Sequence, residues 1–260
     1  MKPKKARILA YDIETSPLIC YTWQTYQTDV IEVIEDYQIL TVAWQWVGEK
    51  KVHVIGQDDF KGYKPGVNDD TNVVKKIHEL MCEADAVLGH NSRSFDDKKS
   101  QARMMIRGLD PPTPYRQIDT KVIAKRVGAF TSNRLKSLAK DLNVSQKGDP
   151  GGFETWKGCL AGDKKAWKRM KKYNKQDIPP LVDLYLKFRP WDKQAIPLNV
   201  INGNFEACPK CGENKGFTLN YKYRHNKTGS VYQYLKCKAC LGSVQKRVPE
   251  DSFRKVEYVS

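Results

Sequence analysis

Asp12 and Glu14 stand two residues apart at the end of a short apolar run, Arg7 to Ile13, that reads as a buried strand. Residues two apart on a strand project to one face, so both carboxylates reach a single site. Asp96 opens a helical pattern within Asn91-Ser92-Arg93-Ser94-Phe95-Asp96, just past another short strand, Asp85 to Gly89. Tyr173 and Asp177 are four apart in a helical stretch and share a face. Carboxylates gathered in one place repel one another, and hard divalent cations with oxygen ligands relieve that repulsion. Two such ions about 3.5–4 Å apart clamp the attacking and leaving oxygens of a phosphodiester. Singly, each piece has a plainer reading. An Asp at a helix start is usually an N-cap, and a Tyr and Asp four apart are usually a surface pair.

A second constellation is made of sulfur. Cys208-Pro209-Lys210-Cys211-Gly212 and Cys237-Lys238-Ala239-Cys240-Leu241-Gly242 are two C-x-x-C knuckles. Zinc takes four tetrahedral ligands, and each knuckle presents two thiolates to one ion. A glycine after the second cysteine lets each turn close. Phe217 to Tyr223 and Val231 to Leu235 read as strands around a turn at Asn226–Gly229, and the whole resembles a zinc ribbon. Four cysteines leave no open coordination position, so one structural Zn²⁺ is expected. Tyr221, Tyr223, Tyr232 and Tyr234 accompany Lys222, Arg224, Lys236 and Lys238. Such a pattern suits base stacking with phosphate contact, and equally a tiny core filled by alternate tyrosines.

The elements that must position these groups follow from periodicity. Ile39 to Val47 and Val52 to Ile55 read as strands joined at Gly48-Glu49. Val73, Ile77, Leu80 and Met81 fall at helical spacing over Asn72 to Glu83, with Asp69-Asp70-Thr71 as N-cap candidates. Phe95 to Ile106, Ile118 to Val127 and Leu135 to Leu142 read as further helices, and Lys147 to Gly152 as a loop. Asp163 to Phe188 is helical on either side of Pro179-Pro180, which should break or kink it. Strands followed by alternating strands and helices indicate an α/β domain with a mixed sheet. The larger domain is placed at residues 1–190, a linker at 191–204 and the small β-rich ribbon at 205–260.

Composition narrows the partners. Lys and Arg number 45 against 30 Asp and Glu, a formal charge of +15, which favours nucleic acid over other partners. Lys164, Lys165, Lys168, Arg169, Lys171, Lys172 and Lys175 crowd the helix that leads to Tyr173 and Asp177, either as a solvated face or as a phosphate track. No apolar run approaches membrane-spanning length, and Met1-Lys2-Pro3-Lys4-Lys5 leads into a strand rather than a signal sequence, so the chain reads as intracellular. Seven cysteines, with Cys20, Cys82 and Cys159 outside the knuckles, read as metal ligands plus free thiols in a reducing compartment.

Asp-x-Glu, Asn-x-x-x-Phe-Asp and Tyr-x-x-x-Asp, in that order, resemble the three motifs of the DEDD 3′–5′ exonuclease superfamily, over Ile8 to about Tyr185. The tyrosine in the third motif places the likeness nearest the exonuclease domains of family B DNA polymerases and free-standing phage exonucleases. The resemblance implies a ribonuclease H-like fold, with a mixed sheet flanked by helices. It implies that Asp12, Glu14, Asp96 and Asp177 hold two Mg²⁺ or Mn²⁺, and that Tyr173 positions the attacking water. By the same analogy Thr15, Asn91 and Phe95 shape the substrate cleft, although Thr15-Ser16-Pro17-Leu18 replaces the Thr-Thr-Gly of many relatives. His90 stays outside the chemistry, because the histidine branch carries its histidine in the third motif and Lys171 to Asp177 has none. The implied activity is a 3′–5′ exonuclease on single-stranded or frayed ends, DNA ahead of RNA, phage-encoded and in contact with replication proteins. An RNase or structure-directed endonuclease with the same site, and a non-catalytic nucleic-acid or replisome adaptor, remain the alternatives.

Overall fold

The computed structural model describes residues 5–26, 28–145, 152–225 and 231–247, the side chains of 220–225 and 231 excepted. The expected loop at Lys147 lies outside the described residues except for Gly152, as do the turn at Asn226 and the side chains of Tyr221, Lys222, Tyr223 and Arg224. Contacts divide the chain into two compact units, Arg7–Tyr185 and a smaller one holding the described residues before Arg7 and after Tyr185. Among the described residues no helix is long and apolar enough to cross a membrane.

The larger unit begins with β1 (Ile8–Thr15), a hairpin of β2 (Ile19–Tyr21) and β3 (Glu32–Glu35), then β4 (Ile39–Trp46) and β5 (His53–Gly56). Next come α1 (Thr71–Glu83), β6 (Ala86–Gly89), α2 (Asp96–Ile106) and β7 (Arg116–Asp119), followed by α3 (Thr120–Val127), α4 (Leu135–Asp141), α5 (Glu154–Leu160) and α6 (Lys164–Phe188). The sheet order is β5-β4-β1-β6-β7. β1 pairs antiparallel with β4 and parallel with β6, so the central strand joins the two halves of a mixed sheet. Strand alternation sets its two faces. Leu9, Tyr11 and Ile13 pack with Val42 and Trp44 against Val73, Val74, Ile77 and Met81 of α1 and Met104 of α2. Each such side chain contributes about 1.5–3 kcal/mol on burial. Elsewhere on the sheet Leu40 packs with Ala166, Trp167 and Met170 of α6 and with Cys159, so helices flank the sheet as expected.

Three local expectations are corrected. Ile118 and Asp119 end a strand rather than begin a helix; Asp119 then caps α3, accepting the N–H groups of Lys121 (2.9 Å) and Val122 (3.3 Å). Pro179 and Pro180 do not break α6, which runs unbroken from Lys164 to Phe188. The prolines offer no i→i−4 donor to the carbonyls of Lys175 and Gln176, and both residues are exposed, so solvent can satisfy them. The helix around the prolines is held by buried Ile178, Leu181 and Leu184. Asp70 occupies the N-cap position of α1 but its side chain caps nothing. Fully buried, it takes Arg103 Nε at 2.7 Å, Arg103 Nη2 and Arg107 Nε at 2.8 Å, and the Ile39 N–H at 3.0 Å.

In the smaller unit, a short helix α7 (Leu198–Ile201) precedes β8 (Phe217–His225), β9 (Val231–Cys237) and β10 (Ser243–Arg247). The strands form an antiparallel sheet in the order β10-β9-β8. The segment 191–204 contains α7, whose buried Leu198 donates its N–H to the Pro209 carbonyl at 2.8 Å.

Candidate active site and cysteine cluster

The leading feature of the larger unit is acidic. Asp12, Glu14 and Asp177 each offer a carboxylate oxygen within 4.8 Å of the others. Alternation on β1 sends Asp12 and Glu14 away from the face carrying Tyr11 and Ile13. α6 supplies Asp177, itself 1% exposed. The β1–β4 register shifts between Glu14 and Thr15, a strand irregularity of the kind that re-aims side chains beside functional sites. Three carboxylates at this spacing form an all-oxygen donor set suited to a hard divalent cation.

Asn174, which sequence reasoning missed, aims the first of these carboxylates. Its Nδ2 donates to Asp12 Oδ2 at 2.7 Å and to the Asp12 carbonyl at 3.2 Å, while its Oδ1 accepts from Thr41 Oγ1 at 2.9 Å. The residue is fully buried, so its amide is committed to β1 and β4. Its spacing held a signal: Asn174 lies three residues before Asp177 and so shares the inward face of α6.

Asp96 stands apart from the trio. It is the first residue of α2, 4% exposed, and its Oδ1 accepts the N–H of Ile13, the residue between Asp12 and Glu14, at 3.2 Å. Burial pushes its carboxyl up to about 7; the Ile13 N–H opposes the rise, and the neighbouring Asp97 and Asp119 carboxylates add to it. Behind it, Tyr11 donates its hydroxyl to Asp97 Oδ1 at 2.5 Å, tying β1 to α2. The loop leading to Asp96 is tightly built. A Cβ at Gly89 would lie 2.4 Å from the Ser92 Cβ, and Asn91 adopts φ +66°. Asp119 closes this loop, accepting the N–H of Asn91 at 2.9 Å and of Arg93 at 3.3 Å while capping α3. His90 is held structurally, with Nδ1 at 2.9 Å from Thr120 Oγ1 and Nε2 at 3.0 Å from the Asn133 carbonyl.

The three cleft candidates are placed differently. Thr15 Oγ1 accepts from Lys99 Nζ at 3.3 Å, and the same ammonium sits 4.9 Å from the Phe95 ring and 3.7 Å from that of Tyr37. Lys99 thus joins Thr15 and Phe95, whereas the Asn91 side chain accepts from Lys121 Nζ at 3.0 Å. Lys99 was also missed, although it lies one helical turn past Asp96. Tyr173, one turn before Asp177, is buried and packs edge-on against Trp156, ring centroids 6.4 Å apart. Of the basic residues of α6, Lys171 is engaged with Asp58 and Asp59 at 2.8 Å each, while the other seven are exposed.

In the smaller unit the four knuckle cysteines gather within 4.8 Å. Cys208 Sγ lies 3.9 Å from Cys240 Sγ, and Cys211 Sγ 3.8 Å from Cys237 Sγ. These distances are far beyond the roughly 2.05 Å of a disulfide. They match the edge of about 3.8 Å that a tetrahedron of thiolates has around an ion with bonds of about 2.3 Å. Gly212 closes the first knuckle at φ +71°, donating to the Cys208 carbonyl at 2.7 Å. In the second, the left-handed residue is Leu241 (φ +60°) rather than the expected glycine, and its N–H reaches the Cys237 carbonyl at 3.0 Å. A side chain at Gly242 would meet the Lys210 side chain at 2.8 Å, so that glycine serves close approach. The set could hold one tetrahedral ion.

No curated protein matches the chain. The family model RNase_H_2, of the RNase_H superfamily, matches residues 9–188, from within β1 to the end of α6, and so takes in every carboxylate described above. A mixed sheet with helices beside it, and acidic residues meeting toward the C-terminal end of its central strand, agree with that match: the chain belongs to the RNase H superfamily, and with it to nucleases that cleave phosphodiesters with divalent metal ions.

Proposed function

We propose that the chain is a 3′–5′ exonuclease that removes nucleoside monophosphates from single-stranded or frayed ends, DNA ahead of RNA. The observation that carries this reading is the meeting of Asp12, Glu14 and Asp177 within 4.8 Å, with Asp96 bonded to the main chain between the first two. These four carboxylates would hold two Mg²⁺ or Mn²⁺, which when bound supply a polarised water and neutralise charge on the scissile phosphate. Asn174 fixes one Asp12 oxygen and so sets how that carboxylate would face the ions. Tyr173 orients the attacking water from one turn away on α6. Lys99 stands beside Thr15 and Phe95, where a positive charge favours phosphate. In this reading the exposed lysines of α6 attract the polyanion along the helix that carries Tyr173 and Asp177.

We assign the four cysteines to one structural Zn²⁺ in a ribbon at 205–260, separable from the nuclease domain at 1–190. The ribbon adds nucleic-acid or replication-protein contact, and free-standing action in a phage-infected cell suits the whole. Digestion of 5′-labelled DNA and RNA oligonucleotides with Mg²⁺, Mn²⁺ or EDTA tests the reading. A metal-dependent ladder that shortens from the 3′ end supports it. Early internal fragments would make the site an endonuclease, faster cleavage of RNA would make it a ribonuclease, and binding without cleavage would leave an adaptor.

A further inference from the structure

The sheet of the smaller unit has two unlike faces. β9 pairs with β10 in unbroken register from Tyr232 to Lys236, so its side chains alternate across the sheet. Cys237 belongs to the cysteine cluster; its cross-strand partner Phe217, and Val244 opposite Leu235, pack against that cluster. Tyr232, Tyr234 and Lys236 therefore stand on the other face, and these two tyrosines do not fill the core around the cysteines. There Tyr232 lies across from Arg247, Tyr234 from Gln245 and Lys236 from Ser243. Directly opposed residues have Cβ atoms about 4.5–5.5 Å apart, and residues two apart on one strand follow at about 7 Å. Both rings are partly exposed, and Lys236, Gln245 and Arg247 are exposed. The register thus gathers two aromatic rings and two cations on one solvent face.

Charge selects the occupant. No Asp or Glu occurs between Glu213 and Glu250, a stretch that carries eight Lys and Arg. β-propensity alone accounts for tyrosine on a strand. It does not account for a sheet without one carboxylate, since a solvated face ordinarily mixes both signs. Cations with no carboxylate among them attract a polyanion. Rings in a row add flat surfaces on which bases stack, and an acidic polypeptide has no such planes to offer. We infer that the outer face of the β8–β10 sheet, centred on Tyr232, Tyr234, Lys236 and Arg247, is a second polynucleotide-binding site, additional to the carboxylates of the larger unit. A long strand held at both sites gains affinity without any change in the chemistry. The inference deepens the nuclease reading above, on which its kinetic consequence rests: substrate is chosen by length as well as by its end.

The test uses the full chain with thymidine trinucleotide and a fluorescein-labelled oligo-dT of about thirty nucleotides, long against the roughly 4–16 that a compact single-strand site covers. Binding is read by anisotropy without added Mg²⁺ and without chelator, which spares metal on the cysteines; digestion is read in Mg²⁺. Tyr232→Ala with Tyr234→Ala should weaken binding of the long strand about tenfold or more. Tyr232→Phe with Tyr234→Phe, which keeps the rings, should recover most of the loss. Lys236→Gln with Arg247→Gln should flatten the dependence of log affinity on log salt by about 1.4, the share of two phosphate contacts. In digestion, the alanine variant should lose about tenfold in the ratio of kcat/KM for the long strand to kcat/KM for the trinucleotide, through KM rather than kcat. Unchanged long-strand affinity and an unchanged ratio in that variant would overturn the inference and leave the nuclease reading standing. Poly-L-glutamate that displaces the strand as well as unlabelled oligo-dT does at equal charge would also overturn it, and make the face a dock for acidic protein. An unsubstituted chain that binds the strand through these tyrosines yet cleaves neither substrate would support the face and fail the nuclease reading, so the two failures are distinguishable.

Discussion

Asn174 Nδ2 lies 2.7 Å from Asp12 Oδ2, so a buried amide on α6 sets the direction of a carboxylate on β1. Replacing Asn174 with Ala removes this hydrogen bond from Asp12 and strips Thr41 of its buried acceptor. A misplacement of about 1 Å costs on the order of 10²-fold in rate. The orphaned hydroxyl costs about 1–3 kcal/mol of stability. Cleavage rates across a Mg²⁺ titration check this: the variant should need more metal and still turn over slowly. Normal kcat at ordinary Mg²⁺ would remove Asn174 from the site.

Tyr173→Phe should be milder than Asp177→Ala, because a hydroxyl that orients water contributes about 10²–10⁴-fold, whereas loss of a carboxylate dismantles a metal site. Asp12→Asn should likewise abolish cleavage while sparing affinity for oligonucleotides. Rate constants at saturating Mn²⁺ rank the three, and a Tyr173→Phe enzyme slower than Asp177→Ala would reverse the assigned roles.

Asp96 makes stability depend on pH in a definite direction. Its folded-state value, about 7, lies well above the 3.8 ordinary for an aspartate. Between those values the folded chain holds a proton that the unfolded chain has released, so this group's contribution falls as pH rises through that window. In EDTA, the Tm of Asp96→Asn minus that of the unsubstituted protein should therefore grow from about pH 4 to about pH 7 and then level off. Divalent metal should shrink the difference by stabilising the carboxylate. A difference that stays flat with pH would place Asp96 in a more hydrated setting.

The smaller unit should contain one zinc per chain and lose its β-sheet when the metal is stripped. Its described core is little more than the cysteines with Phe217, Ala239 and Val244, too few apolar groups to stand without a staple. The Cys211 thiol is raised by its hydrogen bond with Cys208 and then by burial, and that of Cys240 chiefly by burial. Metal must displace those protons, so zinc affinity should weaken as pH falls. Elemental analysis, together with circular dichroism before and after chelation, decides the matter; zinc-free protein with an intact sheet would rule out the assignment.

The carboxylates were legible because their geometry is written in short-range periodicity: two apart on a strand for Asp12 and Glu14, four apart on a helix for Tyr173 and Asp177. Asn174 and Lys99 were not, since a polar residue on a helix reads as solvated until the strand it faces is known. Asp70 looked like a cap for the same reason, when its partners, Arg103 and Arg107, come from another helix. The β2–β3 hairpin escaped because its apolar residues face water and so lack the alternation of a half-buried strand. Local turn chemistry misled at Ile118, where Asp119 serves both as the last strand residue and as a cap, and at Pro179-Pro180, where tertiary burial outweighs two lost hydrogen bonds.

Asp119 accepts from Asn91 and Arg93 on one side and from Lys121 and Val122 on the other. A single carboxylate that bridges the loop before Asp96 and the first turn of α3 should make them one cooperative opening unit. Fraying of the helix start withdraws the acceptor that keeps Asn91 in its left-handed conformation, so the path into Asp96 loosens in the same event. The amides of Asn91, Arg93, Lys121 and Val122 should then exchange with deuterium at a common rate, and Asp119→Ala should accelerate all four together. Through that shared acceptor, the start of α3 should set how long the second motif stays ordered.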